Sequence, residues 1–97
     1  MASQSRFVVP DRLIHWIREL HPEIKQKIRA AFDEIAANPT EGKALIKELE
    51  GLRSFGVGRI RIIYKISSPL RVEIVAVGPR RTIYEETARM VSRRGGS

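Results

Sequence analysis

Val57-Gly58-Arg59-Ile60-Arg61-Ile62-Ile63-Tyr64, followed later by Val77-Gly78-Pro79-Arg80-Arg81-Thr82-Ile83-Tyr84, is the part of the chain that decides its fold. Each half sets arginines beside an apolar strand and closes on a tyrosine. Side chains alternate sides along a strand, so Ile60, Ile62, Tyr64 and Ile66 share one face, and Arg59, Arg61 and Lys65 share the other. The first face is a core and the second carries fixed positive charge. Between Glu50 and Glu73 the cations are Arg53, Arg59, Arg61, Lys65 and Arg71, with no acid among them. A positive field without internal counter-charges suits a polyanionic partner.

Ninety-seven residues make one domain with a single modest core. The apolar fraction of 42% is enough for the chain to fold. Eighteen Lys and Arg against 11 Asp and Glu give a formal charge of +7 and an isoelectric point of about 10.6. That basic balance is typical of nucleic-acid binders. The chain has no cysteine, which removes disulfides and thiolate metal sites and fits a reducing compartment. Met1-Ala2-Ser3-Gln4-Ser5 is too polar for a signal peptide, and no apolar run reaches membrane-spanning length. The expectation is a cytoplasmic protein without membrane contact.

Arg6-Phe7-Val8-Val9 reads as a short strand ended by Pro10, and Asp11 opens a helix whose apolar stripe is Leu13, Trp16, Ile17 and Leu20. His21-Pro22-Glu23 starts a second helix, with proline tolerated at its first position. Ile24, Ile28, Ala31, Phe32 and Ile35 line its inner side, and Asn38-Pro39 stops it. Thr40 to Glu50 fits either a short helical turn or an ordered loop. Three strands follow, Leu52–Phe55, Arg59–Ile66 and Val72–Val77, with connections at Gly56-Val57-Gly58 and Ser67-Ser68-Pro69. Val72–Val77 is almost continuously apolar, which predicts cover on both faces. Thr82–Val91 makes a short last helix. The fold class is α+β: helices, two N-terminal and a short C-terminal one, packed on one side of a mostly antiparallel four-stranded sheet. Residues 1–92 form the domain and 93–97 a mobile basic tail.

Asn38-Pro39, Gly42-Lys43, Leu49-Glu50-Gly51-Leu52-Arg53-Ser54, Val57-Gly58, Arg61-Ile62-Ile63-Tyr64 and Val77-Gly78-Pro79-Arg80-Arg81, in this order, resemble the RelE/ParE superfamily of type II toxins. RelE-like members cut messenger RNA in the ribosomal decoding site, whereas ParE-like members inhibit DNA gyrase without nuclease activity. The resemblance to the RelE branch implies catalytic roles for Arg61, Arg80 and Tyr84, with Arg53, Arg59 and Arg81 adding RNA contacts. It implies a ribosome-dependent endoribonuclease that uses no metal or cofactor, acts on ribosome-bound messenger RNA, and is held by a cognate antitoxin with an acidic or amphipathic segment. Two other readings stay open: a ParE-like gyrase inhibitor, and a non-toxic basic RNA-binding domain. The chain departs from the resemblance on the strand 52–55, where RelE-like nucleases often carry lysines and this chain offers only Arg53. It departs again at Gly56 and Pro79, where many relatives are basic.

The chemistry is consistent with those residue types. Metal-free RNA cleavage has the 2′-hydroxyl attack its own phosphodiester, and a planar guanidinium binds phosphate bidentately while staying charged. Tyr64 shares parity with the isoleucines and belongs to the core. Tyr84 either packs the last helix or reaches the RNA. His15 and His21 sit on the first helix and at its end, as surface or capping residues.

Overall fold

The computed structural model describes residues 6–67 and 71–95. Arg6–Val8 forms β1, Asp11–Arg18 forms α1 and Pro22–Ala37 forms α2. Two 3-10 turns, Pro39–Glu41 and Lys47–Leu49, flank the short strand β2, Lys43–Ala44. Then come β3 (Leu52–Val57), β4 (Ile60–Ser67), β5 (Arg71–Pro79) and α3 (Ile83–Gly95). The sheet order is β1-β5-β4-β3-β2, with β1 parallel to β5 and every other pair antiparallel.

The sheet has five strands rather than the expected four, because the segment after Pro39 pairs Lys43 with Ser54 and Ala44 with Arg53. A strand of two residues has no periodicity to display. The second difference is layering. α1 and α2 cover one face, where Leu13, Ile28, Ala31 and Ile35 meet Ile62, Tyr64, Val72, Ile74 and Val77. α3 packs on the opposite face, where Ile83, Tyr84, Met90 and Val91 meet Leu52, Ile63 and Ala76. The helices therefore enclose the sheet instead of sharing one side. Val75 is skipped in the β4–β5 register, where Ile63 pairs with Ala76 and Tyr64 with Ile74. That bulge lets β5 feed both cores.

Ile28, Ile35, Ile62 and Ile74 are each at most 2% exposed, and burying each contributes about 1.5–3 kcal/mol. Phe7 and Phe32 tie β1 to α2 with ring centroids 5.1 Å apart. α2 starts where the sequence predicts, with Pro22 at its first position and His21 Nδ1 accepting from the Glu23 N–H at 3.2 Å. Trp16 differs from expectation: it is 37% exposed at the edge of the α1 stripe, while Leu13 is buried.

β3 and β4 form a hairpin whose turn is Gly58-Arg59, since Val57 pairs with Ile60. Gly58 has φ +60°, the conformation the first position of a tight II′ hairpin turn requires. Gly56 and Val57, expected in the turn, are strand residues. α3 continues through Gly95, beyond the expected end at Val91, so the helix runs into the segment read as a tail. Gly96 and Ser97, and the Ser68-Pro69 connection, lie outside the described residues.

Candidate functional site

Arg61 sits on β4 with its side chain on the α3 face of the sheet. Its register partners are Gly56 on β3 and Gly78 on β5, so it is flanked by glycine on both sides. A Cβ placed on Gly56 would fall onto Arg61 Nη1 and lie 2.9 Å from Cζ. The guanidinium thus lies across the bare strand. Arg61 is half-buried, and its Nε is buried with no hydrogen-bond acceptor among the described residues. A buried charged donor in that condition gains most from an anionic acceptor supplied from outside.

Tyr84 comes from the first turn of α3. Gly78 lets this helix approach: Ile83 Cδ1 is 3.0 Å from where a Gly78 Cβ would stand. Thr87, fully buried, bonds the Ile83 carbonyl at 2.7 Å and helps hold the turn. The Tyr84 ring packs beside Ile83, and its hydroxyl lies 2.9 Å from Ser54 Oγ, with either atom able to donate. Ser54 is only 5% exposed. Ser54 and Gly56 are alternate residues on one face of β3, so the Tyr84 hydroxyl and the Arg61 guanidinium lie over neighbouring positions of the same strand face.

Arg59, Arg80 and Arg81 gather at the adjoining end of the sheet. With Pro79 they line a cleft of about 420 Å³. The Arg80 N–H donates to the Arg59 carbonyl at 2.7 Å, which ties the end of β5 to the hairpin turn. All three arginines are exposed. The one ion pair among the described residues is elsewhere, between Arg71 Nε and Glu73 Oε2 at 3.0 Å, with geometry too bent for a hydrogen bond.

Arg53 is not part of this group. It projects from the opposite face of β3, toward the turn after α2, and its Nη1 donates to the carbonyls of Gly42 at 2.7 Å and Thr40 at 3.2 Å. Beside it, fully buried Tyr64 donates to the Pro39 carbonyl at 2.6 Å and accepts from the Gly42 N–H at 3.0 Å. Burial pushes the Tyr64 phenol up, against the lowering effects of the Gly42 hydrogen bond and the Arg53 cation. These two residues pin the 39–42 turn to the sheet. The structure therefore puts Arg61 and Tyr84 on the α3 face, gathers Arg59, Arg80 and Arg81 at the hairpin end of the sheet, and sets Arg53 on the opposite face. Alternation along β3 counted from the Gly58-Arg59 turn adds Ser54 and Gly56 to the candidate site, positions that the sequence analysis does not place there.

A profile of the ParE toxins of type II toxin–antitoxin systems matches residues 11–84, most of the chain. The chain belongs to the RelE/ParE family of type II toxin–antitoxin toxins. Its fold matches the RelBE2 toxin–antitoxin complex of Mycobacterium tuberculosis at a TM-score of 0.70 and 26% identity, over 80% of this chain and 100% of that one. An arginine mutant of the E. coli toxin RelE in the free state matches at 0.72 and 13% identity, over 95% of this chain and 98% of that one. The intact E. coli RelBE toxin–antitoxin complex matches at 0.66 and 13% identity, covering 77% and 95% of the two chains. No curated protein matches in sequence. No helix among the described residues of this family member is long and apolar enough to cross a membrane.

Proposed function

We propose that this toxin is a ribosome-dependent messenger RNA interferase, with Arg61 and Tyr84 at the scissile phosphate and Arg80 beside them. The observation that carries the reading is the half-buried Arg61 guanidinium, its Nε without a partner among the described residues, on the same face as the Tyr84 hydroxyl. In the reaction the ribose 2′-oxygen bonds to phosphorus as the bond to the 5′-oxygen breaks. The 2′ proton is released and the 5′-oxygen takes one up, so no net proton is consumed. Negative charge grows on the non-bridging oxygens, where a preorganised donor contributes about 2.7–4 kcal/mol of transition-state stabilisation. Arg61 supplies that donor. Arg80 neutralises charge near the leaving oxygen, Tyr84 hydrogen-bonds the phosphate or stacks on a base, and Arg59 and Arg81 hold flanking phosphates.

An antitoxin covers the toxin in this reading. In support, Trp16 is exposed and, with Arg12, Leu13, Val77, Pro79 and Glu86, lines a groove of about 510 Å³ between α1 and α3. The apolar floor and mixed charge suit an amphipathic segment. Gyrase inhibition is the second reading, favoured by a family match that is to ParE toxins.

The test is purified toxin mixed with ribosomes programmed with a defined message, with cuts mapped by primer extension. Cuts confined to the decoding site and lost in Arg61→Ala are expected. Intact message together with inhibited supercoiling by gyrase would move the second reading to the front.

A further inference from the structure

We infer that β3 is a positioning strand for the reaction: Ser54 holds the Tyr84 hydroxyl in place, and the bare backbone of Gly56 seats the Arg61 guanidinium. The inference rests on the interferase reading and adds two residues to it, neither of which touches RNA.

β3 presents no charged side chain to the site. On the α3 face its residues are Leu52, Ser54 and Gly56; Leu52 is core, and Arg53 points the other way. What the strand provides instead is geometry. Ser54, 5% exposed and on the central part of the sheet, has a position fixed by backbone pairing to Ile63. Its bond to Tyr84 removes the freedom of a phenol that otherwise swings about two side-chain torsions. Gly56 acts by omission. Its φ lies outside the left-handed region, so alanine would suit the backbone there, and the space is what glycine contributes. That space is taken by Arg61, whose Cζ would meet an added Cβ at 2.9 Å. A side chain at position 56 would occupy the place of the guanidinium and displace it from this seat. Pairing a small hydroxyl with a missing side chain at alternate positions of one strand sets the spacing of the two groups that contact the phosphate.

Two double-mutant cycles on ribosome-bound message separate positioning from simple loss of stability. Ser54→Ala is expected to slow cutting about tenfold, the size of one lost hydrogen bond, and Ser54→Thr to restore it. In a Tyr84→Phe background Ser54→Ala should cost nothing further, because the partner hydroxyl is already gone. Gly56→Ala should approach the loss caused by Arg61→Ala, about a hundredfold, and add nothing to it. Urea unfolding of each variant controls for folding. If Gly56→Ala does not fold, the Ser54–Tyr84 cycle alone decides. Equal losses from Ser54→Ala with and without the Tyr84 hydroxyl overturn the inference and leave the interferase reading intact. A message left whole by the wild-type protein overturns both.

Discussion

The Tyr64 phenol donates to the Pro39 carbonyl at 2.6 Å, and this bond joins the centre of the sheet to the turn that ends α2. The same oxygen accepts the Gly42 N–H, so one buried hydroxyl serves two backbone groups. Tyr64→Phe keeps the ring and strands both partners. The expected loss is about 1–3 kcal/mol, the cost of unsatisfied buried groups. A urea midpoint that falls with an unchanged slope would match this; an unchanged midpoint would not.

Alkaline stability follows from the same residue. Burial raises the Tyr64 phenol above its ordinary value of 10.0, so the folded protein holds the proton more tightly than the unfolded chain. The unfolded chain then binds fewer protons between the two values, and stability falls as pH rises there. The contribution is complete below pH 10 and is lost as pH climbs through the folded-state value. Thermal melts between neutral pH and pH 11 should decline less steeply for Tyr64→Phe than for wild type above about pH 10.

Arg53 and Arg61 lie on the same hairpin and should behave oppositely. Arg53→Ala removes two charge-assisted bonds to the 40–42 turn, and an exposed edge of that turn limits the cost to about 1.5–3 kcal/mol. Its cutting rate, measured well below the melting temperature, should stay near wild type. Arg61→Ala should leave the urea midpoint almost unchanged and cut about a hundredfold more slowly. A large rate loss in Arg53→Ala without loss of stability would return Arg53 to the RNA-binding surface.

The assignment of Arg53 shows which part of this protein its sequence discloses. Parity along β4 was legible, since Ile60, Ile62 and Tyr64 do share the α1–α2 core. Helix limits were legible at His21-Pro22 and Pro39, where proline and capping act locally. Register was not. A turn at Gly56–Gly58 would pair Phe55 with Arg59 and put Arg53 opposite Arg61 on one cationic face. The actual turn at Gly58-Arg59 pairs Arg53 with Tyr64 and Gly56 with Arg61. The two registers differ by three residues, and an odd shift exchanges the faces, so Arg53 leaves the face of Arg61 while Ser54 and Gly56 join it. Placement of α3 was hidden for a related reason. The Val75 bulge gives β5 apolar residues on both faces, and a continuous apolar run does not say which helix covers which side.

The exposed arginine cleft predicts a salt signature that separates it from the rest of the cationic surface. Each phosphate neutralised on a single strand contributes about 0.7 to the slope of log affinity against log salt. Arg59→Ala and Arg81→Ala, on side chains that face solvent beside Pro79, should each lower that slope by about 0.7 for a single-stranded RNA oligomer. Arg53→Ala should leave it unchanged, because its guanidinium is committed to the Thr40 and Gly42 carbonyls. Fluorescence anisotropy across a salt series reads the slopes directly. Equal reductions from all three substitutions would mean that RNA responds to net charge rather than to the cleft, since a diffuse field counts every cation and a contact site counts only those that reach phosphate.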